Sequence, residues 1–536
     1  IKNFPEDVLE AGRVLAKKHD KTWYYFDSWF AFYSSVAKYC TSSDIRKHFY
    51  TARSQFASSG KFDNRELILK LLNLRNQKAH TLGYKSWAEL SLVFKMADTP
   101  EEIIALTESV ATRAKWKAKQ EIQELKDYFK LDSIDLWDMS YYVRILKEEK
   151  YNFDEKKLKK YFEFESVRDG LFEITNKLYW VEMKKLDIAW PFDDLDIYEV
   201  SKSWEFVSYF MSDYFFRPLK RSGAWMNNLR SKYISETQNS IPLVVNVCSF
   251  QKAETGPTLL TLWDVRTMFH EFGHALHGML ADSDYSELGI DGVEWDFIEL
   301  PSQLMENWSK EESALELFAQ HIDTGENIPE EYLKALKDLD TFGTGWFYLK
   351  QNEFALLDMN LHSTKVPTTV EELDKKVLDM VNSVSLFPRG EEYKMYAAFT
   401  HIFNWGYSAG YYSYMWAEII EADVWSVFNN VGTVSGVEDM SLGFAYERRF
   451  GGTGFNLASA AFVYPHERFG VGGISFFQFG DDLFSVNKLG ISYGHKIGVI
   501  GLGVKANWHR LSIQGLGSKS AVVLEFGGTA QITKEL

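Results

Sequence analysis

Residues Phe269–His277 read F-H-E-F-G-H-A-L-H. The core of the stretch is H-E-x-x-H: His270, Glu271 and His274. On a helix, residues four apart share a face, so the two imidazoles converge on one point. Neutral imidazole nitrogens suit Zn²⁺. Glu271 stands beside the first imidazole, where a carboxylate can take a proton from an activated water. The spacing points to a zinc hydrolase of the metallopeptidase kind. Three fixed residues in five also arise by chance in helical proteins, so the surroundings have to carry part of the argument.

Those surroundings read as one amphipathic helix. Thr261 followed by Asp264 makes a capping box. Val265, Phe269, Phe272, Leu276 and Leu280 recur at helical spacing and predict a buried stripe. His270, His274 and His277 fall together on another face. Gly273 costs such a helix about 1 kcal/mol, and a glycine kept there predicts close approach of another backbone.

Composition bounds the rest. A chain of 536 residues buries a large core and is expected to hold more than one domain. Its formal net charge of −16 argues against nucleic acid as a partner and is compatible with cationic peptides. Two cysteines, Cys40 and Cys248, supply neither a disulfide framework nor a thiolate metal site. They suit a reducing compartment, the bacterial cytoplasm, with the periplasm or envelope as the other setting. No run of about 18 apolar residues predicts a transmembrane helix. The first residue is Ile1 and no signal-like segment opens the chain, which reads as a fragment or a processed form.

The pattern along the chain changes once. Up to about 430 it is mainly helical, with period-3.6 apolar positions over 99–130, 154–180, 303–320, 329–361 and 369–384. Thr99-Pro100-Glu101-Glu102 and Ser309-Lys310-Glu311-Glu312 read as helix starts. Residues 239–250 read as a strand beside the histidine helix; an extended peptide can pair with an exposed edge strand there. Residues 441–536 hold 17 of the 35 glycines and alternate them with Val, Ile, Leu and Phe. This predicts about five antiparallel strands, with turns at Gly480-Asp481-Asp482 and near Ser518. The block 431–536 resembles hairpins of bacterial outer-membrane β-barrels in pattern and aromatic content, although five strands are too few to close a barrel. A small soluble β-domain and a mis-joined sequence are the competing readings.

A catalytic zinc takes three protein ligands and an open fourth position. Spacing alone does not choose the third among Asp282, Asp284, Glu287, Asp291, Glu294, Asp296, Glu299 and Glu306. Three ordered blocks do: Thr258–His277 (T-L-L-T-L-W-D-V-R-T-M-F-H-E-F-G-H-A-L-H), Gly292–Trp308 (G-V-E-W-D-F-I-E-L-P-S-Q-L-M-E-N-W) and Phe399–Glu418 (F-T-H-I-F-N-W-G-Y-S-A-G-Y-Y-S-Y-M-W-A-E). With them, and with Gly60–Asn64 and Gly223–Asn227, the chain resembles the thimet oligopeptidase family over roughly 1–425, and within it the oligopeptidase A type. The resemblance implies a zincin-type helical metallopeptidase with a small β-sheet beside the zinc helix. It implies one zinc per chain on His270, His274 and Glu299, with Glu271 as general base. Glu306 is either a partner of a ligand imidazole or an ordinary surface or capping carboxylate. His277 is left out, since a fourth protein ligand would close the site.

The tyrosines at 407, 411, 412 and 414 would by themselves read as core. The resemblance implies instead that Tyr407 and Tyr414 donate phenolic hydrogen bonds to the substrate and its tetrahedral intermediate, with His401 binding substrate nearby. A phenol keeps its proton at neutral pH and so suits an oxyanion. The chain departs from the family at both ends: an N-terminal helical region that walls the channel is not seen, and the β-like block stands where helices are expected after Trp425. Asn404-Trp405 also replaces smaller residues usual in the loop. The leading expectation is hydrolysis of short oligopeptides. Release of C-terminal dipeptides is the alternative, and an inactive peptidase fragment joined to an envelope or binding module is the alternative from another class. Oligomeric state is not legible.

Overall fold

The computed structural model describes residues 3–26, 30–188, 192, 194–217, 219–235, 237, 239–253, 255–339, 342–404, 406–430, 441–448, 456–466, 470–480, 484–497, 500–513 and 517–530. Its contacts divide the chain into two units, Ile1–Glu418 and Ile419–Leu536. The first is mainly helical with a small mixed sheet; the second holds an all-antiparallel sheet. Trp405 and the Asp481-Asp482 turn lie outside the described residues.

The first unit is framed by a helix hairpin distant in sequence. Pro100–Phe129 starts where expected, with Thr99 accepting from the Glu102 amide and proline in the first turn. Thr344–Ser363 packs along it. Gly345 permits the contact: a Cβ there would meet Ala118 N at 2.4 Å. The second helix has no capping side chain of its own. Buried Glu121 supplies the cap from its neighbour, accepting from the amides of Gly345 and Trp346 at 3.0 and 2.9 Å.

Three expected helical stretches are broken. The 154–180 stretch divides before Glu163, whose carboxylate caps Phe164–Tyr179. The 329–361 stretch divides before Gly343, at φ +78°. The stretch 303–320 divides at Ser309, and the expected start there is displaced. The next helix begins at Glu312 with no side-chain cap, and Ser309 closes the preceding helix by donating to the Glu306 carbonyl at 2.6 Å.

The strands of the first unit are β1 (Val181–Lys185), β2 (Leu195–Lys202), β3 (Glu205–Phe215), β4 (Trp225–Arg230), a short ribbon of β5 (Tyr233–Ile234) with β6 (Asn239–Ser240), and β7 (Leu243–Phe250). The main sheet runs β1-β2-β3-β7-β4. The strand anticipated over 239–250 therefore exists, but it is interior, parallel to β3 and antiparallel to β4. The edge falls to β4, because the chain lays β4 outside β7 before β7 is made. Helix Leu262–Leu280 packs on β3, β4 and β7. Its stripe Val265, Phe269, Phe272 and Leu276 is buried, and Phe272 meets Phe210 edge to face with centroids 5.3 Å apart.

The second unit contains β8 (Ser441–Arg448), β9 (Asn456–His466), β10 (Gly470–Gly480), β11 (Phe484–Ile497), β12 (Ile500–Ile513) and β13 (Gly517–Ala530). Each pairs only with its neighbours in sequence, a six-stranded meander rather than the five expected. Ser518 is a strand residue opposite Ser512, not a turn.

Candidate metal centre and active site

The site grows from one helix start. The Thr261–Asp264 box is complete in both directions, at 3.1 and 2.9 Å, and sets where the helix Leu262–Leu280 begins. About two and three turns later it presents His270 and His274, rings at right angles and 5.0 Å apart. Gly273 lies between them. A Cβ there would stand 2.5 Å from the Pro301 carbonyl oxygen and 2.6 Å from Ser302 Cα. The glycine lets the helix Leu300–Trp308 press backbone to backbone against the histidine turn. That contact brings Glu299, at the head of this helix, onto both rings.

The result is a three-donor pocket. Glu299 Oε2 lies 3.2 Å from His270 Nε2 and 3.3 Å from His274 Nε2, and all three donor atoms lie within 4.8 Å of one another. Among the described residues this is the one group of His, Cys, Asp or Glu that could hold a metal ion. Two imidazoles and one carboxylate are a donor set that Zn²⁺ takes in hydrolytic sites. His277 lies outside this group, as expected. Burial lowers its imidazole's proton affinity.

The flanking groups orient these donors. Glu306 Oε1 accepts from His270 Nδ1 at 2.6 Å, which aims Nε2 at Glu299. Arg266 holds the other oxygen of Glu306. This resolves the open role of Glu306: it partners a candidate ligand. Burial opposes its charge, but His270 and Arg266 outweigh burial and keep its carboxyl below the usual range. Glu299 is held well below that range too, with His274 and His270 overcoming its burial. Its Oε2 also accepts from Ser302 Oγ at 3.0 Å.

Glu271 is 5% exposed. Its Oε2 is buried without a hydrogen-bond partner among the described residues. Burial raises its carboxyl above the ordinary range. An orphaned carboxylate oxygen buried beside a three-donor pocket is costly.

The tyrosine segment reaches this pocket from the opposite side. The Tyr407 hydroxyl donates to Glu299 Oε1. The Tyr414 ring stacks on Tyr407 at 5.2 Å and 12°. His401 lies 6.0 Å from the Tyr407 ring. Burial raises both phenols well above their ordinary value and lowers His401. At neutral pH the two phenols therefore carry protons and the imidazole is neutral. All seven residues picked out from the sequence, His270, Glu271, His274, Glu299, His401, Tyr407 and Tyr414, are thus gathered around one place. Tyr407 touches the carboxylate directly, a contact not anticipated.

A sequence profile of peptidase family M3 matches residues 36–449. The chain belongs to peptidase family M3. The M3 chain is 37% identical over 420 residues to the organellar oligopeptidase A of Arabidopsis thaliana, covering 75% of this chain and 52% of that protein. It is 33% identical over 449 residues to oligopeptidase A of Escherichia coli, covering 81% and 66%. It is 30% identical over 383 residues to the dipeptidyl carboxypeptidase of Escherichia coli, covering 69% and 55%. The M3 chain therefore spans between half and two thirds of the length of these relatives. The family match runs past Trp425, where family helices were expected to give way, and its start at residue 36 lies inside the anticipated span of 1–425.

Sequence reasoning missed the residues that hold the tyrosine loop. Buried Asp358, on helix Thr344–Ser363, accepts from the amides of Ala409, Gly410 and Tyr411 at 2.9, 2.8 and 2.9 Å. His362 Nδ1 donates to Asp358 at 2.8 Å, and its Nε2 faces Arg75 at 2.9 Å. Buried Asp296 accepts from the Tyr412 hydroxyl at 2.6 Å and from the amides of Met96 and Ala97. Gln303 donates to the Tyr414 carbonyl at 2.8 Å, tying the Glu299 helix to the tyrosine helix.

Proposed function

We propose that this M3 chain hydrolyses amide bonds in short peptides at one zinc ion held by His270, His274 and Glu299, an arrangement of the zincin type. The observation that carries the reading is a buried, unpartnered Glu271 oxygen beside three converging donors. When bound, zinc supplies Lewis acidity, acidifying a water and polarising a carbonyl. Glu271 Oε2 accepts the proton of the attacking water and passes it to the leaving amine; its burial raises its basicity for this role. Tyr414 donates a phenolic hydrogen bond to the oxyanion that develops on the scissile carbonyl. Tyr407 fixes the third donor, Glu299, through its hydroxyl, and stands beside Tyr414 to share the oxyanion role. His401, neutral at pH 7, hydrogen-bonds the substrate backbone.

The substrate backbone lies along β4, the open edge nearest the histidine helix, and pairs there through main-chain hydrogen bonds. Such pairing is indifferent to side chains. Cleavage within the peptide is favoured over dipeptide release by the higher identity to proteins named oligopeptidase A than to the dipeptidyl carboxypeptidase. Cys40 and Cys248 are both free, which a reducing compartment permits, and one relative is named a probable cytosolic oligopeptidase A. For the peptidase region we therefore keep the cytoplasmic reading.

The test is an internally quenched fluorescent peptide with an amidated C-terminus. The reading expects one zinc per chain and chelator-sensitive cleavage at an internal bond. Cleavage only of the free-acid peptide, two residues from its end, selects the dipeptidyl reading. A zinc-loaded, folded chain that cleaves neither peptide sinks both.

A further inference from the structure

The sheet β8–β13 carries its polarity inside out. In a water-soluble antiparallel sheet the covered face is apolar and the exposed face polar. Here Phe462, Tyr464, Ile474, Ile491, Tyr493 and Trp508 are between 37% and 62% exposed. Register puts them in one patch. Ile474 stands opposite both Phe462 and Ile491, Tyr493 stands opposite Gly472 and Val504, and Trp508 stands opposite Leu489 and Val522. At the alternate positions Gly473, Gly490, Gly494 and Asn507 are buried, with Val471 the one buried apolar side chain described among them, while Lys488 and Lys519 are exposed. A Cβ at Gly490 would meet Ser475 Oγ at 2.4 Å, Asn507 Oδ1 at 2.5 Å and Lys505 Cε at 3.0 Å. Around Gly490, hydroxyl, amide and lysine side chains thus take the space that an ordinary core would fill with hydrocarbon.

The patch also has straight borders. Along one side Gln478, Asn487, Arg510 and Ser520 stand opposite one another across four strands. Along the other side Tyr464 and Tyr493 flank Gly472, followed outward by His466 and His495. Between the borders no described side chain on this face is charged. From Asn487 to His495 is eight residues, about 27 Å along the strand at ~3.4 Å per residue. At the ~35–45° tilt of barrel strands this is roughly 19–22 Å of height, a little under the ~25 Å apolar band, edged by aromatic rings, of a membrane-spanning barrel. β9–β13, at 11 to 14 residues, match or exceed the ~9–11 that a tilted crossing needs, and β8 is shorter at 8.

We propose that this face of β8–β13 seats against the hydrocarbon of a lipid bilayer, with its polar face turned away from lipid. The occupant is lipid rather than a protein surface because the band is uncharged and bounded in parallel lines, whereas protein interfaces are ringed by an irregular polar rim. Hydrocarbon does not tolerate open strand edges, so in the membrane β8 and β13 pair with strands outside this sheet. Among the described residues no helix is long and apolar enough to cross a membrane.

The test adds the full chain to vesicles of phosphatidylethanolamine and phosphatidylglycerol and floats them on a density gradient. Most of the protein is expected to float, and to keep floating in 1 M salt. Ile491→Cys and Lys505→Cys, each labelled with an environment-sensitive fluorophore, separate the two faces; the native cysteines are buried. The label at 491 is expected to shift to the blue and to be quenched at least fivefold more by lipid-borne nitroxides than the label at 505. Protein left in the aqueous fraction overturns the proposal. So does equal quenching at the two positions. Shielding of 491 that depends on protein concentration without vesicles overturns it in favour of a second copy covering the face. Ile474→Lys with Ile491→Lys is expected to cut flotation about tenfold with an unchanged circular dichroism spectrum. Should that pair misfold, the label comparison still decides.

Discussion

Glu271 and Lys95 show how burial sets the chemistry of single groups. Glu271→Gln keeps the shape and removes the proton acceptor. It is expected to lower kcat by about 10²–10⁴-fold, the range of a positioned general base, while zinc by mass spectrometry stays at one per chain. Unchanged turnover would remove Glu271 from the mechanism. Tyr414→Phe is expected to lower kcat by about 10²–10³-fold, as losing one oxyanion donor does, with KM little changed. Lys95 lies under the tyrosine loop, its Cε 3.2 Å from where a Gly410 Cβ would be. Burial pushes its amine down to about 8 from 10.5, against the pull of Asp358 and Asp296. The folded state therefore binds the proton less tightly than the unfolded chain does. That cost, at most roughly 3–4 kcal/mol at 1.36 per unit, is fully present below pH 8 and fades as pH rises toward 10.5. Lys95→Met is expected to raise Tm at pH 7 and to lose that advantage by pH 10. An advantage that grew with pH would reverse the sign.

Asp358 works on a whole loop. Its two oxygens gather three successive amides, and Ala409 is held at φ +50° in the same turn. Asp358→Asn replaces one acceptor by a donor facing an amide. It is expected to lower kcat at least tenfold with zinc content unchanged. In that background Tyr414→Phe should cost much less than in the native chain, because the phenol is already misplaced. Full additivity of the two losses would mean that Asp358 does not act through Tyr414. Gly273→Ala tests the helix contact: with the Pro301 carbonyl 2.5 Å away, overpacking of about 1–3 kcal/mol is expected, seen as a lower Tm and weaker zinc retention. These elements differ in how far the chain announced them. The helix Leu262–Leu280 was legible because its cap, stripe and ligands are local and periodic. Glu299 was not, since 281–298 follows no period and only the press of Pro301 on Gly273 returns it to the rings; the family resemblance supplied it. Asp358 and Asp296 left no local mark, because their partners lie some 50 to 200 residues away. The edge strand was misassigned for a related reason: the sheet order β1-β2-β3-β7-β4 is not chain order.

At the scale of the molecule, the two units have opposite construction. In Ile1–Glu418 the largest core, from Phe153 to Leu336, holds the histidine helix among buried aromatic and aliphatic side chains. A second core, from Ile68 to Tyr412, holds the tyrosine loop. The site is built where elements of these two cores meet, at His270, Glu299 and Tyr407. None of the residues placed in it comes from Ile419–Leu536. Among the described strands the meander β8–β13 pairs only within itself. A chain ending at Asn430 keeps both cores, every candidate donor and the whole of helix Ser413–Asn430. It is expected to unfold in one cooperative transition that zinc shifts upward, by the linkage of metal binding to folding. Its kcat/KM on the quenched peptide is expected to lie within about threefold of the full chain's, a difference of under ~1 kcal/mol. Circular dichroism melts with and without chelator, beside the peptide assay, check both. Loss of cooperative unfolding on removing 431–536 would show that the β unit is part of the peptidase fold rather than a neighbour to it. Retained folding with lost turnover would show instead that the β unit reaches the substrate.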